Sequence, residues 1–435
     1  MRDGDLAGAT EFQRPEACRE AQQRLLGEHL RYAAERSPYY RRTFRENGID
    51  PAAVSLEDLP KLPLTGKEDL ADHNDEFLAV PMSSVVDIVL SSGTTGSPVK
   101  VLYTEKDLER LAYNERISLA GCGITNEDTA LLTCTLDRCF IAGLAYYSGL
   151  RALGAAVIRN GLNSPASHRE VIQRLRPTVI VGVPSFLVKL GRFLETEGSD
   201  PRTSGIRKLV CIGEPVRGRD LSLLKMGEHL EALWGAEFYS TYASSETITS
   251  FCECTARRGG HLHPDLAVVE IVDENGRVLP AGETGEVVMT PLAIEGMPLV
   301  RFKTGDVSFL IDEPCACGRY SPRLGPILGR KKQMIKYRGT TLYPGAIYSV
   351  LDGMPEVSDY YLTITSDFDL SDMVKVSIAV RNGMASPEQV RDRLQAQLRV
   401  RPEVEIVNEQ TVREQIAPDS SRKINRFIDR RKKAL

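Results

Sequence analysis

The chain has 435 residues, 42% apolar and 26% charged, with 59 acidic against 55 basic side chains and a formal net charge of −4. This length calls for two or three domains, and the composition is that of an ordinary soluble globular protein. The near-balanced charge gives no general pull towards nucleic acid or a membrane, and no stretch approaches the roughly 18 uninterrupted apolar residues of a spanning helix.

The N-terminus, Met1-Arg2-Asp3-Gly4-Asp5, carries no apolar signal segment. Nine cysteines in such a chain point to reduced thiols or metal ligands, so the expected compartment is the cytoplasm. The apolar run at residues 85–90 predicts a buried strand. It leads into Ser91-Ser92-Gly93-Thr94-Thr95-Gly96-Ser97, two glycines and five hydroxyl residues in seven positions. Glycine lets backbone approach a ligand, and successive N–H groups with hydroxyls offer an anion several donors. The segment therefore reads as a phosphate grip, although Ser97 stands where a P-loop has lysine. Taken alone, it reads more readily as a Ser/Gly-rich surface turn.

Thr104-Glu105-Lys106-Asp107 and Ser167-His168-Arg169-Glu170 both resemble capping boxes that open helices. Apolar runs at residues 179–183 and 209–212 predict strands, each ending in a turn (Pro184-Ser185 and Gly213-Glu214-Pro215). Strands alternating with helices predict an α/β fold with parallel segments, whose ligands sit at the carboxyl ends of the strands. The character changes near residue 330, where residues 330–338 carry five basic side chains. Beyond lies a small α+β unit. Val374, Val376, Ile378 and Val380 alternate with Lys375, Ser377 and Ala379, as in a strand with one buried face. Ser386-Pro387-Glu388-Gln389 starts a helix with Val390, Leu394 and Leu398 along one side, and residues 404–407 predict a further strand. The expected domains are residues 1–330 and 331–435.

Six motifs in order resemble the adenylate-forming superfamily of acyl-CoA synthetases, luciferases and peptide-synthetase adenylation domains, most closely its phenylacetate–CoA ligase group. They are residues 91–100; Tyr242-Ala243-Ser244-Ser245-Glu246; Gly282-Glu283-Thr284-Gly285-Glu286; Arg301-Phe302-Lys303-Thr304-Gly305-Asp306; Gly329-Arg330-Lys331-Lys332 with Tyr337-Arg338-Gly339; and Pro418-Asp419-Ser420-Ser421-Arg422-Lys423. Residues 37–41 and 56–63 resemble that group's N-terminus, so the likeness covers almost the whole chain. The implied fold is α/β: a large multi-sheet N-terminal domain of the acyl-CoA synthetase type with a small mobile α+β C-terminal domain.

The implied reaction is attack of a carboxylate on the α-phosphorus of ATP, then transfer of the acyl group to coenzyme A. Two anions must be positioned and their developing charge neutralised. The resemblance assigns Ser91, Ser92, Gly93, Thr94, Thr95, Gly96 and Lys100 to the phosphates, and Glu246 to magnesium. It puts Ser245 on the α-phosphate, Tyr242 beside adenine, Gly213, Glu214 and Pro215 among the cofactor-binding residues and next to the acid, Asp306 on the ribose hydroxyls and Arg330 near ribose and phosphate. Lys423 is the implied catalytic lysine, within a basic tail of Arg422, Lys423, Arg426, Arg430, Arg431, Lys432 and Lys433 that otherwise reads as solvated surface. The superfamily usually has glycine where Arg422 stands. Lys332 falls at the hinge and Gly339 at the pantetheine tunnel.

The group's pattern pairs Cys254 with His261 and both with Cys315 and Cys317, a donor set suited to structural zinc; Cys252 and His263 are alternative ligands. The acid is expected near Phe140, Ala142, Gly143, Tyr146 and Tyr239, where small and aromatic residues suit a flat ring. Those small residues serve helix packing equally well. Asp137-Arg138-Cys139 before this pocket is unlike a phenylacetate enzyme and leaves room for a more polar aromatic acid. A carrier protein or an amine as acceptor, and a non-catalytic ATP-binding protein, stay open. A homodimer is implied by the resemblance alone.

Overall fold

The computed structural model describes residues 10–91, 99–337, 340–367, 371–381, 385–398, 400–416 and 425–431. The chain divides into two compact units: Met1–Leu223 with Gly227–Ile327, and Leu328–Leu435 with Leu224–Met226.

The larger unit opens with helices α1 (Pro15–Arg36), α2 (Pro38–Glu46) and α3 (Lys67–Asp72). Strands β1 (Asp87–Leu90) and β2 (Lys100–Tyr103) form an antiparallel pair. Only Val89 of β1 is buried, while Ile88 is exposed, so the expected buried strand is a two-stranded ribbon with one wet face. Helix α4 (Glu105–Gly121) begins where expected: the Thr104 hydroxyl accepts from the Asp107 N–H, and the Asp107 carboxylate accepts from the Thr104 N–H at 3.0 Å. The alternation then runs β3 (Thr129–Leu132), α5 (Ala142–Leu153), β4 (Ala156–Arg159), α6 (Pro165–Leu175), β5 (Val179–Gly182), α7 (Pro184–Thr196), β6 (Lys208–Ile212), α8 (Lys225–Trp234), β7 (Glu237–Ser244) and β8 (Thr249–Cys252).

Two boundaries differ from expectation. Ser164, not Ser167, caps α6, because Pro165 takes the first helical position and Ser167 becomes the third. Pro184 likewise opens α7 directly instead of forming a separate turn.

The strands assemble in the order β4-β3-β5-β6-β7-β8, parallel except for β8. All four residues of β5 are buried, as a central parallel strand covered on both faces requires. Leu119 and Tyr146, on α4 and α5, share one core with Leu132, Val181 and Val210 of the sheet. Strand β9 (Gly260–His261) precedes a second, antiparallel set: β10 (Ala267–Val272), β11 (Gly285–Pro291) and β12 (Phe302–Ser308). Strands β13 (Leu310–Ile311) and β14 (Arg323–Leu324) join β9 in a small sheet.

In the smaller unit β15 (Gly329–Arg330), β16 (Ile335–Tyr337), β17 (Thr340–Leu342) and α9 (Pro344–Asp352) come first. They precede a four-stranded sheet in the order β20 (Glu403–Ile406), β19 (Ser371–Val380), β18 (Val357–Asp367), β21 (Phe427–Asp429). Helix α10 (Pro387–Leu398) carries the expected reciprocal cap between Ser386 and Gln389, and α11 (Glu409–Ile416) follows β20. Val374, Val376 and Ile378 face the main core with Val390 and Leu394. The opposite face is buried too, because Ala379 packs with Tyr361, Val412 and Ile416. The alternation in β19 thus marks two covered faces, not one.

Among the described residues, no helix is long and apolar enough to cross a membrane.

Candidate active site and metal centre

Strand β7 turns at its carboxyl end through Ser245 and Glu246. Glu246 is buried, with the Lys67 ammonium 3.0 Å from its carboxylate and the Ser244 hydroxyl donating at 3.1 Å. Burial alone would raise its pKa; the Lys67 charge and the hydrogen bonds outweigh that and hold it below the usual carboxylate range. The turn is pinned by Tyr103, whose hydroxyl donates to the Ser245 carbonyl at 2.7 Å.

On the neighbouring antiparallel sheet, Gly305 adopts φ +78°, a conformation glycine takes without strain, just before Asp306. The Tyr242 hydroxyl donates to the Asp306 carboxylate at 2.9 Å. Arg301, at the start of the same motif, is buried. It binds both oxygens of Glu270 at 3.0 Å and donates to the Pro60 and Leu62 carbonyls, anchoring the strand that carries Asp306.

At the carboxyl ends of β5 and β6, Glu214 accepts from the Ser185 N–H at 2.9 Å and from its hydroxyl at 2.8 Å. Gly213 takes φ +76° there, and Pro215 follows it. Ser91 is buried, and its N–H donates to the Val99 carbonyl at 2.9 Å. The Lys100 ammonium pairs with Asp75 at 2.8 Å on the surface. Ser92, Gly93, Thr94, Thr95, Gly96, Gly339 and Lys423 lie outside the described residues.

In the smaller unit Arg330 lies on β15 and Lys332 in a short 3₁₀ turn. Arg431 donates to the Lys332 carbonyl at 3.0 Å and the Met334 carbonyl at 2.7 Å, and pairs with Asp372 and Asp429. Arg426 pairs with Asp359 and lies over the Tyr360 ring. The basic tail, expected as solvated surface, therefore includes two arginines built into the fold.

A cavity beside the Ser245 turn is lined by Phe140, Ala142, Ala145 and Tyr146 around the start of α5, by Tyr103, Leu111 and Glu115, and by residues 243–245, Ile248 and Thr249. Phe140, Ala142 and Tyr146 were expected there. Gly143 and Tyr239 are not among its lining residues. Gly143 packs where a Cβ would strike the Thr135 carbonyl, and Tyr239 is buried in the sheet core with its hydroxyl on Glu237.

Cys254, His261, Cys315 and Cys317 come together, their ligand atoms all within 4.8 Å of one another. The Cys254 and Cys315 sulfurs are 3.6 Å apart, and the Cys317 sulfur is 3.2 Å from His261 Nε2. Bond lengths of about 2.3 Å to sulfur and 2.0–2.1 Å to nitrogen, in a tetrahedron, give edges close to these. His261 Nδ1 faces the Ser321 carbonyl oxygen at 3.2 Å; a carbonyl only accepts, so the proton sits on Nδ1 and Nε2 is left to ligate. The alternative ligands are engaged elsewhere. Cys252 meets Cys122 at 3.2 Å, while His263 lies 3.0 Å from both Ser118 and Glu11.

Sequence reading missed Lys67, Tyr103 and Glu115. No motif marks them, and they reach the site only through the packing of α3, β2 and α4.

The chain is similar to known proteins. The AMP-binding enzyme family matches residues 41–291, and the AMP-binding enzyme C-terminal domain matches residues 339–431. The phenylacetate-coenzyme A ligase of Thermus thermophilus is 36% identical over 373 residues, covering 84% of this chain and 82% of that protein. The phenylacetate-coenzyme A ligase of Escherichia coli K12 is 28% identical over 399 residues, covering 87% and 88%. A crystal structure of 2-hydroxyisobutyryl-CoA ligase in the postadenylation state superposes with a TM-score of 0.83 at 24% identity, over 97% of this chain and 91% of that one.

Proposed function

The chain belongs to the AMP-binding enzyme family, and from that premise we propose which of its residues carry the reaction. It is an AMP-forming acid–coenzyme A ligase: ATP activates a carboxylic acid as its acyl-adenylate, and the acyl group passes to coenzyme A. The acid is aromatic, an aryl or arylacetic acid, held in the cavity beside Ser245. Support for this comes from the Phe140 and Tyr146 rings and small Ala142 in its lining, and from the phenylacetate-coenzyme A ligases among the relatives.

In the first step a carboxylate oxygen bonds to the α-phosphorus as the bond to pyrophosphate breaks. Asp306 accepts from the ribose hydroxyls, oriented by Tyr242, whose ring flanks the adenine; Gly213, Glu214 and Pro215 belong to the same cofactor site. Ser91, Ser92, Gly93, Thr94, Thr95, Gly96 and Lys100 hold the phosphates, and Ser245 the α-phosphate. Arg330 lies near ribose and phosphate. Lys423 supplies a compact positive charge between the attacking carboxylate and the α-phosphate. Glu246 suits magnesium, which keeps most of its waters and takes one or two protein carboxylates besides phosphate oxygens. The position of the Lys67 ammonium already marks that carboxylate as a cation's neighbour. When bound, the metal neutralises charge on the phosphates. In the second step the smaller unit turns about Lys332, and the segment at Gly339 lines the path of the thiol.

Cys254, His261, Cys315 and Cys317 would hold a structural zinc, tying the β8–β9 segment to the loop after β13. We place the protein in the cytoplasm, in keeping with nine unpaired cysteines.

The observation that carries the assignment of roles is the pairing of Tyr242 with Asp306 beside a buried Glu246 on the same strand end. Its test is ATP–pyrophosphate exchange with a panel of aromatic acids, followed by thioester formation with coenzyme A. Exchange that needs both acid and magnesium is expected; silence across the panel would remove the aromatic substrate.

A further inference from the structure

Glu115 is an acid in an apolar place. It lies on α4, 1% exposed, and lines the cavity with Tyr103, Leu111, Phe140 and Tyr146. On α5 the facing residue is Gly149, where any Cβ would collide with the Cβ of Glu115, so the helices close tightly around this side chain. Hydrogen bonding with Ser250 serves the carboxyl on one side. Among the described residues the other oxygen, Oε2, has no partner. Burial pushes the group up to about 7, and Ser250 offsets this only in part.

A buried acceptor left unpaired costs stability, and folded proteins rarely keep one without a reason. Plain ring recognition needs no carboxyl here; a leucine would fill the space. An orphan carboxyl oxygen on a residue that lines a cavity beside the Phe140 and Tyr146 rings fits a ligand that brings its own donor. We propose that Glu115 selects the substrate: the acid carries a ring hydroxyl or amino group, which donates to Glu115 Oε2 while its carboxylate lies towards Ser245. This deepens the aromatic-acid reading above and rests on it.

Matched acids separate the two ideas. ATP–pyrophosphate exchange is measured with benzoate and phenylacetate, and with their hydroxy and amino derivatives at each ring position. For the wild type, at least one derivative should exceed its unsubstituted parent in kcat/KM by on the order of 10²-fold, since a site built around a polar group rejects the analogue lacking it. Glu115→Leu should cut that ratio at least tenfold, mainly through KM. Glu115→Gln keeps the volume and one accepting oxygen and should retain part of the preference. Because the readout is a ratio within one variant, a general loss of folded protein cancels. Exchange with unsubstituted acids as good as with any derivative, or a ratio unmoved by Glu115→Leu, overturns the inference while leaving acid activation standing. Exchange with no acid overturns the aromatic reading and this inference together.

Discussion

At Glu246 two opposing effects meet, desolvation and the Lys67 ammonium, and the charge wins. Removing that charge should reverse the balance. Lys67→Met is expected to raise the Glu246 pKa and move the acidic limb of the exchange rate towards neutral pH; an unchanged pH profile would deny Lys67 this role. Tyr103 and Tyr242, which both feel this carboxylate's charge, are pushed upward by burial and stay neutral over that range. Glu115 behaves in the opposite sense. Its folded pKa lies above the unfolded value, so the folded state holds the proton more tightly, and stability falls as pH rises from about 4.5 to about 7. The shift amounts to about 3 kcal/mol at 1.36 kcal/mol per unit. Tyr146 and Cys134 face it from α5 and the loop after β3, and burial keeps both neutral there. Glu115→Gln should therefore lose less Tm than the wild type between pH 5 and pH 8; parallel losses would contradict the buried acid. Lys423→Ala should slow adenylation by ~10²–10³-fold, the scale of a lost transition-state charge contact, and mostly spare thiolysis of supplied acyl-adenylate. Equal loss in both steps would refute that division.

The helices show how much local pattern conveys. Thr104 and Asp107 are three residues apart, and their reciprocal cap depends on nothing distant, so α4 was legible. Ser167 misled because it matches the same pattern, yet the proline after Ser164 sets the helix start three residues earlier. Helix–helix approach is another matter. Gly149 reads as an ordinary small residue, and only the packing of α5 on α4 reveals that it admits Glu115. Gly149→Ala should cost about 1–3 kcal/mol by overpacking and blunt the substituent preference along with stability. A neutral effect on Tm would mean the helices separate freely. Arg431 makes the same point in the smaller unit. Its sequence neighbours are basic, but its guanidinium is spent on two carbonyls and two carboxylates around the 3₁₀ turn that holds Lys332.

Over the whole molecule, the proposed zinc joins residues about sixty positions apart, so its loss should be felt in stability before chemistry. Cys315→Ser is expected to lower metal content from about one zinc per chain towards zero and to lower Tm. A metal-free, equally stable wild type would remove zinc from the fold. What the chain alone determined was the order of its motifs and the α/β alternation, because these depend on residue type and short spacing; for the metal it offered Cys254, His261, Cys315 and Cys317 through the resemblance, with Cys252 and His263 as alternatives. Which groups lose water was decided by tertiary structure. Cys252 and His263 have the same ligand chemistry as their neighbours, but strand and helix packing turns them to Cys122, Ser118 and Glu11. Lys67 and Glu115 carry no local mark at all. They matter only because the fold sets Lys67 against the buried Glu246 carboxylate and Glu115 in the wall of an apolar cavity, and that juxtaposition is set by contacts far apart in the chain, which no local spacing encodes.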